Sequence, residues 1–452
     1  MAQNHRAVSR LQPWVDVENG LVSRDIFVDK SIYQQEQEQV FARVWLFIGH
    51  ESQVPNPGDY FTSFMGEESV ILTRDAQHQL HVFLNTCTHR GMKVCRYDEG
   101  NTTVFTCPYH GWSFACDGQL VGVPHDRAAY RGQLDRSQWG LVEVAQMATY
   151  KGTVWATWDA DAPPLMTYLG DMRRYLDVLL DARDGSKGGS EILGGIQKWY
   201  MPSNWKFAAE NFAGDGYHNI SHRSVDLVGI GPSGRGRRDW ERDDTLALNI
   251  SIPEGGHSAM GFLQKEDYPF VPTYQNSPIV EEYARYCYEE RQKRLGNDAR
   301  MIGRVGTTFP NMSFLSRQPR SIAVWQPRGV LKTEAWRWYL VDKNAPEEVK
   351  DTLRHYYMRY SGPGGLTEQD DMENWNYASE ASRGVIARRY PYNYQMGMGF
   401  AGRRDDWPGQ ISEGISEQNQ RGFYKRWAEL MAGTSWEALT AKAAKKGHNH
   451  GR

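Results

Sequence analysis

The sequence predicts an α+β protein, in which a small all-β module is inserted in a larger domain whose antiparallel sheet is covered by helices. Three observations carry this. From about Trp45 to Trp158 short strand-like runs alternate with turn signals. Beyond Trp158 longer strand candidates are interspersed with helical stretches. The 452 residues suffice for two or three domains and a large core.

Taken in order, residues 1–40 read as an N-terminal segment that packs on the larger domain. Residues 41–158 form the all-β module, 159–440 the larger domain, and 441–452 a disordered basic tail holding His448 and His450. Ser31 to Trp45 predicts a helix with a Ser31–Gln34 capping box and apolar Tyr33, Val40, Phe41 and Val44. In the module, Ser69–Thr73, Leu80–Leu84 and Thr103–Thr106 read as strands. Asp117-Gly118 is a hairpin turn between Ser113–Cys116 and Gln119–Val123. In the larger domain, strands are expected at Glu191–Tyr200, Thr245–Ile252, Met312–Ser316, Ser321–Gln326 and Glu334–Val341. Helices are expected near Asn204–His222, Ile279–Leu295, Pro346–Tyr360 and Glu368–Arg383. The Gly- and Arg-rich run Gly229 to Arg238 reads as irregular, either a loop at a pocket mouth or a solvated connection.

Composition excludes several classes of function. A net charge of −3 with 24% charged residues leaves no basic footprint for nucleic acid. No apolar run approaches the ~20 residues of a membrane span. Met1 to Arg6 shows no apolar signal core, which argues for a soluble cytoplasmic protein. Five cysteines, an odd and sparse number, argue against stabilising disulfides and raise the question of metal binding.

Two stretches carry candidate ligands in the larger domain. Ala209 to His222 places His218 and His222 four residues apart, one turn on a helix, with Asp215 three residues before the first. Two imidazoles on one face, joined by a carboxylate from elsewhere, make a non-haem Fe(II) site with open positions. Such a pair alone is more often a pair of solvated side chains. Gly214 and Gly216 weigh against that, since each costs a helix roughly 1 kcal/mol relative to Ala. Downstream, Thr367 with Asp370 reads as a helix N-terminus, and Asp371, Trp375 and Ala378 share one face. An inward aspartate needs a partner. From these residues alone an arginine is the commoner partner and a metal the rarer.

The module holds Cys87-x-His89-Arg90-Gly91 and Cys107-x-x-His110-Gly111-Trp112. Two thiolates and two imidazoles can hold zinc, or a [2Fe–2S] cluster in which histidines replace two cysteines on one iron. Each loop supplies one ligand of each kind, which suits two irons with unlike ligands. Cys95, Cys116 and Cys287 fall outside the pattern and read as small buried hydrophobes.

These motifs, with Glu210-Asn211-Phe212-x-Gly214-Asp215-x-Tyr217-His218 and Asp370-Asp371-x-Glu373-Asn374, resemble the large (α) subunits of Rieske-type aromatic ring-hydroxylating dioxygenases over essentially the whole chain. The resemblance implies a Rieske [2Fe–2S] cluster with Cys87 and Cys107 on one iron and His89 and His110 on the other. It implies mononuclear Fe(II) on His218, His222 and Asp371, with Asp370 as the fallback ligand. Met92 and Tyr109 stand where respiratory-chain Rieske proteins carry a disulfide, which favours the oxygenase branch. The implied activity adds both atoms of O2 to an aromatic ring, giving a cis-dihydrodiol. Electrons come from NADH through a reductase and a ferredoxin, and a small β subunit completes a hexamer, most simply α3β3. The chain has no Gly-rich dinucleotide fingerprint of its own, in keeping with electrons arriving from a partner.

By the same resemblance, Asp215 and Asn211 are catalytic residues, and Asp215 bridges an iron-ligand histidine and a cluster histidine of a neighbouring subunit. Asn211, Phe212, Ala213, Val305, Leu315, Ser361 and Thr367 would line the substrate pocket. Small side chains at Ser361 and Thr367, near places where naphthalene-type relatives carry bulkier ones, and at Gly303 and Val305 in a stretch that helps line the family's pocket, suggest polycyclic substrates. Two rivals stand beside this reading: a Rieske monooxygenase such as a salicylate-type hydroxylase, and a non-catalytic Rieske electron carrier.

Overall fold

A computed structural model describes residues 14–229, 245–265, 270, 274, 276–317 and 320–440. The chain divides into two compact units, Phe41–Leu165 and Met1–Val40 with Met166–Arg452. The predicted loop beyond Gly229 and the tail 441–452 lie outside the described residues.

The Phe41–Leu165 unit is built of small antiparallel sheets. One holds, in spatial order, Leu80–Leu84, Glu68–Arg74, Asp59–Met65 and Glu99–Asn101. A second holds Leu120–Gly122, Ser113–Ala115 and Val104–Thr106. Gly118 makes the tight turn in that second sheet: its φ is +82°, and a Cβ there would come within 2.6 Å of the Phe83 ring. A third sheet joins Gln146–Tyr150, Thr153–Thr157 and Leu46–His50.

The other unit centres on an eight-stranded antiparallel sheet. Its strands are β1 (Ser190–Met201), β2 (Thr245–Ile252), β3 (His257–Gln264), β4 (Met301–Thr308), β5 (Met312–Leu315), β6 (Ser321–Pro327), β7 (Thr333–Asp342) and β8 (Gln410–Glu413). The spatial order is β1-β7-β6-β5-β4-β3-β2-β8. Strands β3 and β4 were not foreseen from the sequence. All of β3 is buried, so it lacks the alternation that marks a half-exposed strand.

Among the described residues, the α-helices of seven or more residues in this unit are α1 (Lys30–Glu36), α2 (Met172–Leu180), α3 (Trp205–Phe212), α4 (Pro278–Leu295), α5 (Glu347–Tyr360), α6 (Leu366–Ala381) and α7 (Gln418–Met431). Three predicted helix boundaries are corrected. The first helix is capped by Asp29, whose carboxylate accepts from the Ser31 and Ile32 amides, and Ser31 itself donates to Asp29. It passes into a π-helical turn over Gln37–Phe41, and Leu46–His50 is a strand. Helix α6 starts behind Gly365 with no side-chain cap, so Thr367 lies inside its first turn. The predicted Asn204–His222 helix is two pieces, as described below.

The N-terminal segment is tied to its unit through a buried acid. The Glu36 carboxylate pairs with the Lys206 ammonium and accepts from the indoles of Trp205 at 3.1 Å and Trp427 at 2.8 Å. With both charges fully buried, each needs the other, since a lone buried charge is costly.

Candidate metal centres

In the all-β unit, the two ligand loops have matching backbones. The Cys87 amide donates to the Met92 carbonyl at 2.8 Å and Gly91 to Cys87 at 2.9 Å. In the second loop Cys107 donates to Trp112 at 2.7 Å and Gly111 to Cys107 at 2.9 Å. Gly91 and Gly111 turn each loop at φ +71° and +74°, a conformation that favours glycine. The loops bring the His89 and His110 rings to 4.5 Å, and His89 stacks on Trp112 at 4.8 Å.

Burial raises the Cys87 thiol, partly opposed by the amides of His89 and Arg90 that point at its sulfur. Burial, together with His110 and Arg90, holds His89 below the usual imidazole value, so it stands neutral as a ligand must. His89 Nδ1 is buried and has no hydrogen-bond partner. Cys87, His89, Cys107 and His110 do not gather their donor atoms around one point. Among the described residues only His218, His222 and Asp371 do so, with ligand atoms all within 4.8 Å of one another. Two thiolates and two imidazoles, one of each kind from each loop, are the donor set of a two-iron cluster whose irons carry unlike ligands. All five cysteines are free thiols. Cys95, Cys116 and Cys287 are buried with raised thiol pKa values, Cys287 pushed up to about 12 by burial first and then by Asp342.

In the other unit, Asn204 caps α3 by accepting from the Lys206 amide at 3.1 Å, and α3 ends at Phe212. Gly214, at φ +129°, turns the chain, and His218 and His222 lie on a separate 3-10 helix, Tyr217–His222. The expected i, i+4 face of an α-helix is thus replaced by a tighter coil. The rings converge nonetheless. His218 Nε2 and His222 Nε2 are 3.0 Å apart, and Asp371 Oδ1 is 3.3 and 3.1 Å from them.

The opposite ring nitrogens are occupied. His218 Nδ1 donates to the Asp215 carbonyl, and His222 Nδ1 faces Asp370 Oδ2 at 3.4 Å. Those partners assign the protons to Nδ1. Two imidazole lone pairs and a carboxylate oxygen are then left pointing at one another. A positive charge among them stabilises that arrangement, and edges of 3.0 to 3.3 Å match a coordination face with bonds of about 2.1 Å. Asp370 thus faces the far side of His222, and Asp371 is the candidate third donor. Burial acts to raise the Asp371 carboxyl, but His218 and His222 outweigh it and hold the group far below the usual carboxylate value.

The remaining predicted residues fall as follows. Phe212 is buried against Trp325 at 5.2 Å and Trp375 at 6.4 Å. The Asn211 carbonyl accepts the Asp215 amide at 2.9 Å, and the Ala213 carbonyl is held by Asn419 at 2.7 Å. Val305 and Leu315 pair across β4 and β5. Ser361 is fully buried, and the hydroxyls of Ser361 and Thr367 have no hydrogen-bond partner. A Cβ on Gly303 would meet the side chains of Ser316 and Val178. This glycine lines a cavity of about 310 Å3 with Arg183, Cys287, Ser316 and Asp342, and none of the metal-ligating residues borders that cavity.

Two side chains beside the triad were passed over by the sequence reading. Arg337 on β7 is fully buried with its Cζ 5.3 Å from the Phe212 ring centroid, and it pairs with Glu368. The available signals were a lone cation in an apolar strand and an acid one turn before Asp371.

The chain matches the Rieske [2Fe-2S] domain over residues 44–147 and the catalytic domain of the ring-hydroxylating alpha subunit over residues 190–433. It is 40% identical over 442 residues to the biphenyl dioxygenase subunit alpha of Paraburkholderia xenovorans, covering 94% of each chain. It is 38% identical over 447 residues to a benzene 1,2-dioxygenase subunit alpha of Pseudomonas putida, covering 96% of each. A crystal structure of naphthalene 1,2-dioxygenase from Rhodococcus sp. bound to indole superposes with a TM-score of 0.80 at 33% identity, covering 92% of this chain and 95% of that one.

Proposed function

The chain belongs to the large (α) subunits of Rieske-type aromatic ring-hydroxylating dioxygenases, and from that premise we propose that its substrates are aromatic hydrocarbons of two or more fused rings, with biphenyl beside them. The observation that supports the size is the turn before Asp371, where Ser361 and Thr367 are small. Each added ring then gains apolar burial at ~25 cal/mol per Å2. Names of relatives agree with a mono- to polycyclic range: biphenyl, benzene and naphthalene.

His218, His222 and Asp371 would hold an iron, which when bound would supply O2 activation with electrons drawn singly from the Rieske cluster that Cys87, His89, Cys107 and His110 would hold. The protein's own part is positional. The Asp215 carbonyl and Asp370 orient the two histidines, and Phe212, Trp325 and Trp375 form an apolar aromatic wall in the same unit. The product is a cis-dihydrodiol. Labelled O2 tests this: two labelled atoms in a diol are expected, and one in a phenol would favour the monooxygenase instead. Thr367→Trp should depress turnover of three- and four-ring substrates more than of naphthalene, and equal loss on all would remove Thr367 from the pocket.

We further propose that a β subunit, a ferredoxin and an NADH-dependent reductase are its partners, in an α3β3 hexamer in which Asp215 links the two centres of neighbouring subunits. Asp215 supports this by its place: it is partly exposed, and Oδ2 lies 3.8 Å from His218 Nδ1. Tyr217, Ile220, Leu227 and Val228 nearby are exposed apolar side chains, a face that another subunit would cover.

A further inference from the structure

Helix α6 carries two acids on one inward face, Glu368 and, one turn later, Asp371. Both are buried, at 2% and 4% exposure. Two anions in one buried turn repel each other, so each needs its own counter-charge. Asp371 has the two histidines, and would have the metal that the three residues could hold. Glu368 has Arg337, whose Nη2 lies 2.5 Å from Glu368 Oε1.

Arg337 is also placed by the sheet. It sits in the interior strand β7, opposite Gln197 on β1 and Ala323 on β6. Its Nη1 donates to Ser321 Oγ at 3.3 Å, and its carbonyl accepts from the Tyr357 hydroxyl at 3.3 Å. Its guanidinium carbon faces the Phe212 ring at 5.3 Å, within cation–π range. Phe212 ends α3, just before the Gly214 turn that leads to His218 and His222. One rigid cation therefore touches both chain segments that converge on the metal: α6 through Glu368, and the end of α3 through Phe212.

We propose that Arg337 and Glu368 are positioning residues of the mononuclear centre, a sheet-anchored brace that holds Asp371 in register with His218 and His222. This rests on the iron reading of the triad. Neither residue is a ligand. The single contact of Arg337 Nη2 with Glu368 Oε1 ties the first turn of α6 to β7.

The test uses the purified oxygenase with its cluster. Wild-type protein is first assayed for about three irons per chain, and a count of two would overturn the iron reading itself rather than the brace. Arg337→Met and Glu368→Gln should each weaken Fe(II) binding at the mononuclear site by about 10- to 100-fold, the usual effect of losing an outer-sphere group. They should also shift the electron paramagnetic resonance signal of the ferrous–nitric oxide adduct, with cluster iron and sulfide unchanged. The double variant R337M/E368Q leaves no lone buried charge, so it remains testable even where a single variant fails to fold. It should bind Fe(II) better than either single variant, yet with a shifted nitrosyl signal. Wild-type iron affinity and a wild-type nitrosyl signal, in the double variant or in any folded single variant, would overturn the proposal whatever the melting temperature. So would a double variant whose losses equal the sum of the singles.

Discussion

At the scale of the residue, each centre depends on its own set of donor side chains. Removing one should remove one metal group only. His218→Ala should lower iron from about three to about two per chain and leave the sulfide, while Cys107→Ser should abolish the cluster signal; stoichiometric zinc without sulfide in the wild type would sink the assignment. Glu210 supplies a pH prediction. Burial pushes its carboxyl up to about 8, opposed by hydroxyls of Tyr424 and Tyr394 and reinforced by Asp215 and Glu417. The folded state thus prefers the neutral acid, whereas the unfolded value is about 4.3. Its stabilising effect is complete below about 4.3 and is lost as pH rises towards about 8. Glu210→Gln should therefore raise the melting temperature more at pH 8 than at pH 5. An equal change at both pH values would show that the carboxyl ionises freely.

At the scale of the element, the decisive feature is the break between α3 and the 3-10 helix. A Cβ on Gly214 would come within 2.6 Å of Asn419 Nδ2 and 3.1 Å of Met260 Cβ. Asn419 cannot retreat without loss, because that nitrogen donates to the carbonyls of Ala213 at 2.7 Å and Ala259 at 3.0 Å. Gly214→Ala combines this clash with a strained φ, so a destabilisation of about 1–3 kcal/mol is expected. Mononuclear iron should fall with it while cluster absorbance persists. Retention of all the iron would mean that the turn does not set the histidine geometry.

At the scale of the whole molecule, the proposed relay requires more than one copy of the chain. Asp215→Asn should keep both metal groups, since Asp215 contributes to the triad through its backbone carbonyl, but turnover should stop. Rapid-mixing spectra should then show a cluster that reduces normally and is not reoxidised by O2 and substrate. Activity should also fall on dilution as subunits part. A fully active monomer, by ultracentrifugation alongside product assay, would contradict the arrangement.

What the sequence determined by itself was local. Cys87-x-His89 with Gly91 and Cys107-x-x-His110 with Gly111 specify two tight loops, because ligand spacing and a positive-φ glycine are properties of a few consecutive residues. The same holds for Asp117-Gly118 and for strands such as Leu80–Leu84, whose bounds match the prediction. The pairing of His218 with His222 was legible, but the reason they meet was not. An unbroken helix was expected where Gly214 breaks it, because the contacts of Asn419 and Met260 that hold the turn come from distant segments. Asp371 was preferred to Asp370 only by resemblance, and the folded chain gives the physical reason, setting one against both rings of the pair and the other against the far side of His222. Strand β3 stayed unread because a strand buried on both faces has no period of two. Arg337 acquires meaning only from the sheet register and the packing of α6, for a buried charge is defined by what surrounds it, and those neighbours lie far away along the chain.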